Sequence, residues 1–368
     1  MLEIIFLIFL CGYFIQSVLF IIGINKSFPK IKDEDLPEAT VIVAVRNEEK
    51  NILRCLNSLA RLQYPDDKLE IIISDGYSTD STADIVDEFI KDKKRFRRII
   101  ANPEKENLQG KANAIDSAIK ISNGKIILTT DADCEVNPEW VKTICSYYQG
   151  NVAAVSGFTT QTAYNGFSGM QAIDFIYLLI VAAGTINLGY PISCIGNNMS
   201  YRKKAYEETG GYAKLPFSVT EDFSLLRAIY LLGKYRVIFP LDKNALVTSL
   251  PCLDLKELFL QKKRWGIGGL AVPFRGFIIM SFGFIVNLCV LLTPVFFTGV
   301  WLYLAVFKIA IDLFVLFPIH SRLDIKQNLK YFIHFEIYFL VYVIILPFIV
   351  LSSRKVVWKG KEYNASSV

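Results

Sequence analysis

Residues 126–133 read Ile126-Ile127-Leu128-Thr129-Thr130-Asp131-Ala132-Asp133. Three aliphatic residues followed by two threonines favour a strand, and continuous apolarity marks a strand covered on both faces. Two carboxylates then leave that strand together. Hard oxygen ligands of this kind suit Mg²⁺ or Mn²⁺, which take one or two carboxylates and complete their shell with substrate phosphate. Asp-x-Asp is also the composition of an ordinary turn. Its place at the end of a buried run raises the metal reading without excluding the turn.

Working outward, the same pattern repeats. Residues 39–45 and 69–73 are short apolar runs, and 96–101 is a third strand candidate. Between them, residues 52–59, 81–90 and 111–121 space their apolar positions for helices. Strands alternating with helices predict a largely parallel α/β sheet, Rossmann-like, with ligands gathered at the carboxyl ends of the strands. Polar residues stand at those ends: Arg46 and Glu48 after the first strand, Asp75 after the second, Asp131 and Asp133 after the fourth.

Three further stretches could be functional or bland. Gly110-Lys111 opens a helix, where free N–H groups and the lysine could meet a phosphate, or Lys111 could simply be solvated. Thr220-Glu221-Asp222 precedes an apolar-periodic segment, as a helix cap with favourable acids would. Gln261-Lys262-Lys263-Arg264-Trp265 is amphipathic and basic, as a membrane-interface belt is.

The 368 residues are 52% hydrophobic, with a mean hydropathy of +0.36. The excess sits at the ends. Residues 4–24 are uncharged and long enough to cross a bilayer, and Lys26, Lys30 and Lys32 follow them. The positive-inside rule then places residue 30 onward in the cytosol. No basic segment precedes the apolar run, so an uncleaved anchor over residues 1–25 is expected rather than a signal peptide. Spans are also predicted at 276–297, 299–319 and 331–351, after an interfacial segment at 256–275 and before a basic tail at 352–368. Lys308 and Asp312, four apart, read as a structural ion pair. Residues 167–188 are apolar too, but Asp174, Gly184 and Asn187 argue for a helix lying under the membrane surface instead of a span. The net charge of +5 carries no aromatic-interleaved basic groove, so nucleic acid is not an expected partner. Seven scattered cysteines without a CxxC predict free thiols.

Taken in order, these motifs resemble the family 2 glycosyltransferases of the GT-A fold, over residues 37–265 and in the membrane layout on either side. Residues 40–49 are similar to that family's first strand and donor loop, Asp75 with Ser78-Thr79-Asp80 to its acidic second loop, and Asp131 and Asp133 to its metal motif. Asp222 matches its catalytic base, and Gln261, Arg264 and Trp265 match the QxxRW motif familiar in cellulose, chitin and hyaluronan synthases. Gly76 stands where the family often has a second acid, which leaves the donor nucleotide open. Residues 357–363 are similar to the ending of some carotenoid and lipid glucosyltransferases.

The resemblance implies a cytosolic catalytic domain over residues 37–255, in a protein integral to a bacterial plasma membrane. It implies inverting transfer from a nucleotide-diphosphate sugar to a lipid or glycan acceptor. Arg46, Glu48, Asp75, Lys111 and Asp131 would hold the donor, Asp133 with Asp131 the metal, and Asp222 would act as base. Glu221, Gln261, Arg264 and Trp265 would serve the acceptor and diphosphate side. A processive polysaccharide synthase is the nearest alternative, but few helices leave little material for a polymer channel. A non-catalytic nucleotide-binding regulator and a nucleotidyltransferase fit less well, since Asp133 and Asp222 are both present.

Overall fold

A computed structural model describes residues 2–105, 107–352, 355–358 and 361–364. The chain forms two compact units, one of Lys26–Thr160 with Cys194–Leu250, the other of Met1–Asn25, Gln161–Ser193 and Pro251–Val368. The continuous domain expected over residues 37–255 is therefore interrupted, because residues 161–193 group with the terminal helices.

The first unit is built on β1 (Ala39–Val45), β2 (Leu69–Asp75), β3 (Phe96–Ile100), β4 (Ile126–Asp131), β5 (Glu135–Val136), β6 (Val152–Ser156), β7 (Thr159–Gln161), β8 (Met199–Arg202), β9 (Arg236–Ile238) and β10 (Val247–Ser249). Seven strands make one sheet in the order β3-β2-β1-β4-β8-β6-β9, and β5-β10-β7 make a second. The first four are parallel, as expected; β8 runs antiparallel to both β4 and β6, so the sheet is mixed. Val41, Val43, Ile71, Ile73 and Leu128 are fully buried and pack with Cys55 and Leu56 of helix Ile52–Ala60. Val45 pairs with Asp75 and Ala44 with Asp131, so the polar ends of β1, β2 and β4 share one edge. The strand order turns back between β1 and β4, the position where open α/β sheets leave a crevice.

The second unit contains five helices long and apolar enough to cross a membrane: Leu2–Ile24, Gly166–Asn187, Phe274–Leu291, Gly299–Arg322 and the segment Lys326–Ser352. The anchor and the three C-terminal segments match expectation, except that the first of these stops at Leu291, just short of Pro294, which cannot donate to a helix. Helix Gly166–Asn187 differs. Its apolar window is 83% buried, against 22–39% for the other four, so it is the most enclosed of the five within the unit. The residues that argued against a span are its packing devices. A Cβ on Gly23 would lie 2.3 Å from the Gly184 carbonyl oxygen, so two glycines let the backbones cross closely. Asn187 Nδ2 donates to the Gly23 carbonyl at 3.1 Å, and Asp174 is ion-paired with Lys262.

The expected Lys308–Asp312 pair is present at 2.7 Å, fully buried, and Glu336 joins it at 2.7 Å from Lys308. Tyr13 donates to Asp312 at 2.5 Å. All seven cysteines are free. In the basic tail, Lys355–Trp358 pairs antiparallel with Lys361–Asn364, while Arg354, Lys359 and Gly360 lie outside the described residues.

Candidate active site

The loops that follow β1 and β2 are tied to each other. Asn47 takes a left-handed φ of 54°, tolerable for Asn, and its side-chain oxygen accepts from the Thr79 N–H at 2.8 Å. Asp75 is buried and accepts from the Ser78 N–H at 2.8 Å, and Glu48 N–H donates to Thr82 Oγ1 at 2.8 Å. Tyr77 has a φ of 64°, an uncommon conformation for a bulky residue and one that clusters at ligand sites. Arg46 and Glu48 are half-buried, and Glu48 accepts from Asn51 Nδ2 at 2.8 Å. Arg98 reaches Asp75 at 3.4 Å while holding Asp87 through two nitrogens, a hydrogen-bonded pair that keeps the Asp87 carboxyl below its usual range.

The end of β4 gathers the charges. Gly110, at φ 56°, makes the turn into helix Gly110–Ile121 that only glycine adopts without strain. Lys111 in its first turn points back to the sheet: Nζ is 2.5 Å from Asp131 and 3.7 Å from Glu221. Burial lowers the affinity of this ammonium for its proton, but the carboxylates of Asp131, Glu221 and Asp222 outweigh it and raise its pKa above the ordinary value. Lys111 is thus a bridge between the Asp-x-Asp strand and helix Glu221–Leu231, not a solvated lysine. Asp222 borders the same point, since a Cβ on Gly196 would meet its Oδ2 at 3.1 Å and Lys111 Nζ at 3.3 Å. The Thr220 side chain makes no capping bond, so this helix starts without the cap its sequence suggested.

Asp133 accepts from Ser249 Oγ at 3.0 Å, and Arg54 donates to its backbone carbonyl at 2.9 Å. Burial first, and then the charge of Asp131, hold the Asp133 carboxyl above its usual pKa. Two carboxylates repelling each other at a strand end favour a cation, and this fits a divalent ion. Among the described residues no group of three His, Cys, Asp or Glu converges on one point. The donor set therefore suits an ion that keeps water and phosphate as its other ligands, as Mg²⁺ and Mn²⁺ do. Cys55 and Cys134 lie beside these acids, and burial pushes both thiols up, so they are poor ligands in this state.

Lys111, Asp131, Glu221 and Asp222 are thus brought together, with Asp133 anchored beside them. Gln261, Arg264 and Trp265 lie on helix Leu255–Gly268 of the other unit, where Trp265 packs against Phe175 at 5.3 Å between ring centroids. Sequence reasoning missed Arg54, Ser249 and Asn198. Asn198 accepts from Trp140 Nε1 at 2.9 Å and donates to the carbonyls of Phe158 and Ala245, pinning the turn before β8. Its signal was the small polar turn at 196–200.

An α/β sheet with two carboxylates at its switch point, and further acids opening a helix beside them, places polar groups where open α/β sheets bind ligands. Comparison with known proteins gives its family. Residues 40–210 match the glycosyl transferase family 2 profile, and residues 126–351, more than half the chain, match glycosyl transferase family group 2. The chain belongs to this family. The probable glycosyltransferase YdaM of Bacillus subtilis is 28% identical over 68% of this chain and 60% of its own length. A β-monoglucosyldiacylglycerol synthase of a Nostoc species is 24% identical over 66% and 51%. A poly-β-1,6-N-acetyl-D-glucosamine synthase of Staphylococcus aureus is 27% identical over 72% and 62%. The chain spans about half to three-fifths of the length of these relatives. Among solved structures, the mannosyltransferase PcManGT of Pyrobaculum calidifontis, in complex with GDP-Man and Mn²⁺, superposes with a TM-score of 0.61. It is 19% identical, with 95% of this chain and 99% of that one covered, and it shows the same GT-A fold.

Proposed function

We propose that the protein transfers one sugar from a nucleotide-diphosphate donor to a lipid-type acceptor at a membrane, with inversion. The observation that carries this is the cluster at the end of β4, where Lys111 ties the metal-motif Asp131 to Glu221 beside Asp222. Arg46, Glu48 and Asp75, on loops tied together at the neighbouring strand ends, hold the nucleoside side of the donor. Asp131 and Asp133 would hold Mg²⁺ or Mn²⁺, which neutralises the charge developing on the departing diphosphate. The acceptor oxygen forms its bond to the anomeric carbon as the bond to the diphosphate oxygen breaks. Asp222 takes the acceptor's proton as general base. Gln261, Arg264 and Trp265 serve the acceptor and diphosphate side.

The metal and donor readings draw support from PcManGT, which was solved with GDP-Man and Mn²⁺. The lipid acceptor draws support from the Nostoc relative, which is a glucosyldiacylglycerol synthase, and from the apolar helices of the second unit. The polymer synthase relative keeps a processive activity as the second reading. We propose further that the catalytic unit faces the cytosol at a bacterial plasma membrane, a reading supported by Lys26, Lys30 and Lys32 after the first long helix. The test incubates purified full-length protein with a panel of UDP- and GDP-sugars, Mn²⁺ and diacylglycerol vesicles, and weighs the products by mass spectrometry. One hexose per lipid is expected. A long glycan with no lipid product would favour the synthase, and no nucleotide release from any donor would overturn both.

A further inference from the structure

The helical unit holds an apolar groove of about 610 Å³, within the range of small-molecule sites. Three helices wall it: Gly166–Asn187 through Phe167 and Met170, Leu255–Gly268 through Leu258 and Phe259, and Phe332–Ser352 through Val341 and Ile345. Its walls meet closely. A Cβ on Gly266 would strike Val350 at 2.7 Å and Leu346 at 3.0 Å, so the motif helix lies tight against the apolar helix beside it.

We infer that this groove seats the hydrocarbon chain of the acceptor lipid. The inference rests on the lipid-acceptor reading above and adds a place for the chain. Three observations select this occupant. First, Lys262 is the only Lys or Arg among the described lining residues, and it is already spent. It is ion-paired with the buried Asp174, and its ammonium lies 4.4 Å from the Trp265 ring centre and 5.0 Å from that of Tyr342. Among the described residues the groove therefore offers a phosphate no unpaired ammonium or guanidinium, and its wall is apolar apart from the His334 ring and the Tyr338 and Tyr342 hydroxyls. Second, helix Leu255–Gly268 divides its faces. Leu255, Leu258, Phe259 and Lys262, at helical spacing, line the groove, while Gln261, Arg264 and Trp265 form the adjacent stripe. The family's motif and the groove wall are thus one rigid element. Third, the Phe332–Ser352 wall belongs to a segment of hydropathy 2.3, suited to hydrocarbon surroundings from which a chain could enter sideways.

The experiment uses the full chain in phosphatidylglycerol vesicles. A diacylglycerol bearing a diazirine within its acyl chain is photoactivated, and labelled residues are mapped by mass spectrometry. A phosphatidylglycerol carrying the same diazirine reports bulk lipid. The diacylglycerol probe should label Met170, Val341 and Ile345 several-fold more than the exposed Tyr303 and Phe307 of helix Gly299–Arg322, and the phospholipid probe should show no such preference. Met170→Trp with Val341→Trp fills the groove. It should abolish the preference and raise the apparent KM for lipid acceptor about tenfold, with the KM for donor unchanged. Equal labelling by both probes, or a preference that survives the tryptophans, would overturn the inference. If no lipid is ever glycosylated, the proposed function fails whatever the labelling. If lipid is glycosylated with an unchanged acceptor KM in the filled variant, only the groove assignment fails.

Discussion

Replacing Lys111 with Met tests the bridge at the centre of the site. Methionine keeps length and helix propensity but removes the charge. In the wild type the ammonium sits 2.5 Å from Asp131 and 3.7 Å from Glu221, with side-chain exposures of 18%, 33% and 15%. Breaking a fully buried pair costs about 3–5 kcal/mol, and an exposed one about 0–1. This partly exposed triad falls between, so the loss should be about 2–3 kcal/mol. For a domain of this size that lowers Tm by on the order of 5–10 °C. The variant also leaves Asp131, Glu221 and Asp222 facing one another unneutralised. Mn²⁺ should therefore restore more stability to the variant than to the wild type, because a cation binding the folded form offsets the repulsion. Adding Glu221→Gln should recover part of the loss, on the order of 1 kcal/mol, as coupled neighbours do. Thermal melts in EDTA and in millimolar Mn²⁺ read all three quantities. A Lys111→Met variant that melts with the wild type and responds equally to Mn²⁺ would show that Lys111 bridges nothing.

Asp133→Ala should abolish transfer and remove the dependence of donor binding on Mn²⁺, measured by calorimetry; wild-type activity persisting in EDTA would contradict the metal role. Gly76→Asp should fold normally, because its Cβ would meet only the Val45 carbonyl at 3.5 Å and Arg46 at 3.8 Å, and it should change the ratio of UDP- to GDP-sugar affinities. An unchanged ratio would place position 76 outside the nucleoside site. Gly23→Ala should destabilise the helical unit by about 1–3 kcal/mol through overpacking against the Gly184 carbonyl, seen as a lower melting temperature in detergent.

The parallel half of the sheet was legible because β1, β2 and β4 are strongly apolar runs, with Arg46 and Glu48 following β1 and Asp75 and Asp131 ending β2 and β4. β6, β8 and β9 were not, being three to five residues long and without a distinctive period. Within the site, Asp131, Asp133 and Asp222 were readable as types in an order. That Lys111 joins Asp131 to Glu221 was not, since Glu221 lies far along the chain and only folding brings it to them. Helix Gly166–Asn187 makes the same point. Its Asp174 and Gly184 counted against a span in the sequence, and in the structure Asp174 is paired with Lys262 and Gly184 packs against Gly23. Polar residues in apolar segments are interpretable only with their distant partners, and Glu336 beside Lys308 repeats the lesson.

Asp222 is the proposed general base of the sugar transfer, and Asp222→Asn tests that role most directly. Asparagine keeps the size of the side chain and its place in the first turn of helix Glu221–Leu231 but cannot accept the proton. Transfer rate, donor affinity and melting temperature are measured on one preparation. Transfer should fall by about 10²–10⁴-fold, the usual worth of a positioned base, with donor affinity retained. If Asp222 were only a favourable first-turn acid, the change would be a stability loss of about 1 kcal/mol or less. A folded Asp222→Asn protein that transfers sugar at nearly the wild-type rate would contradict the mechanism.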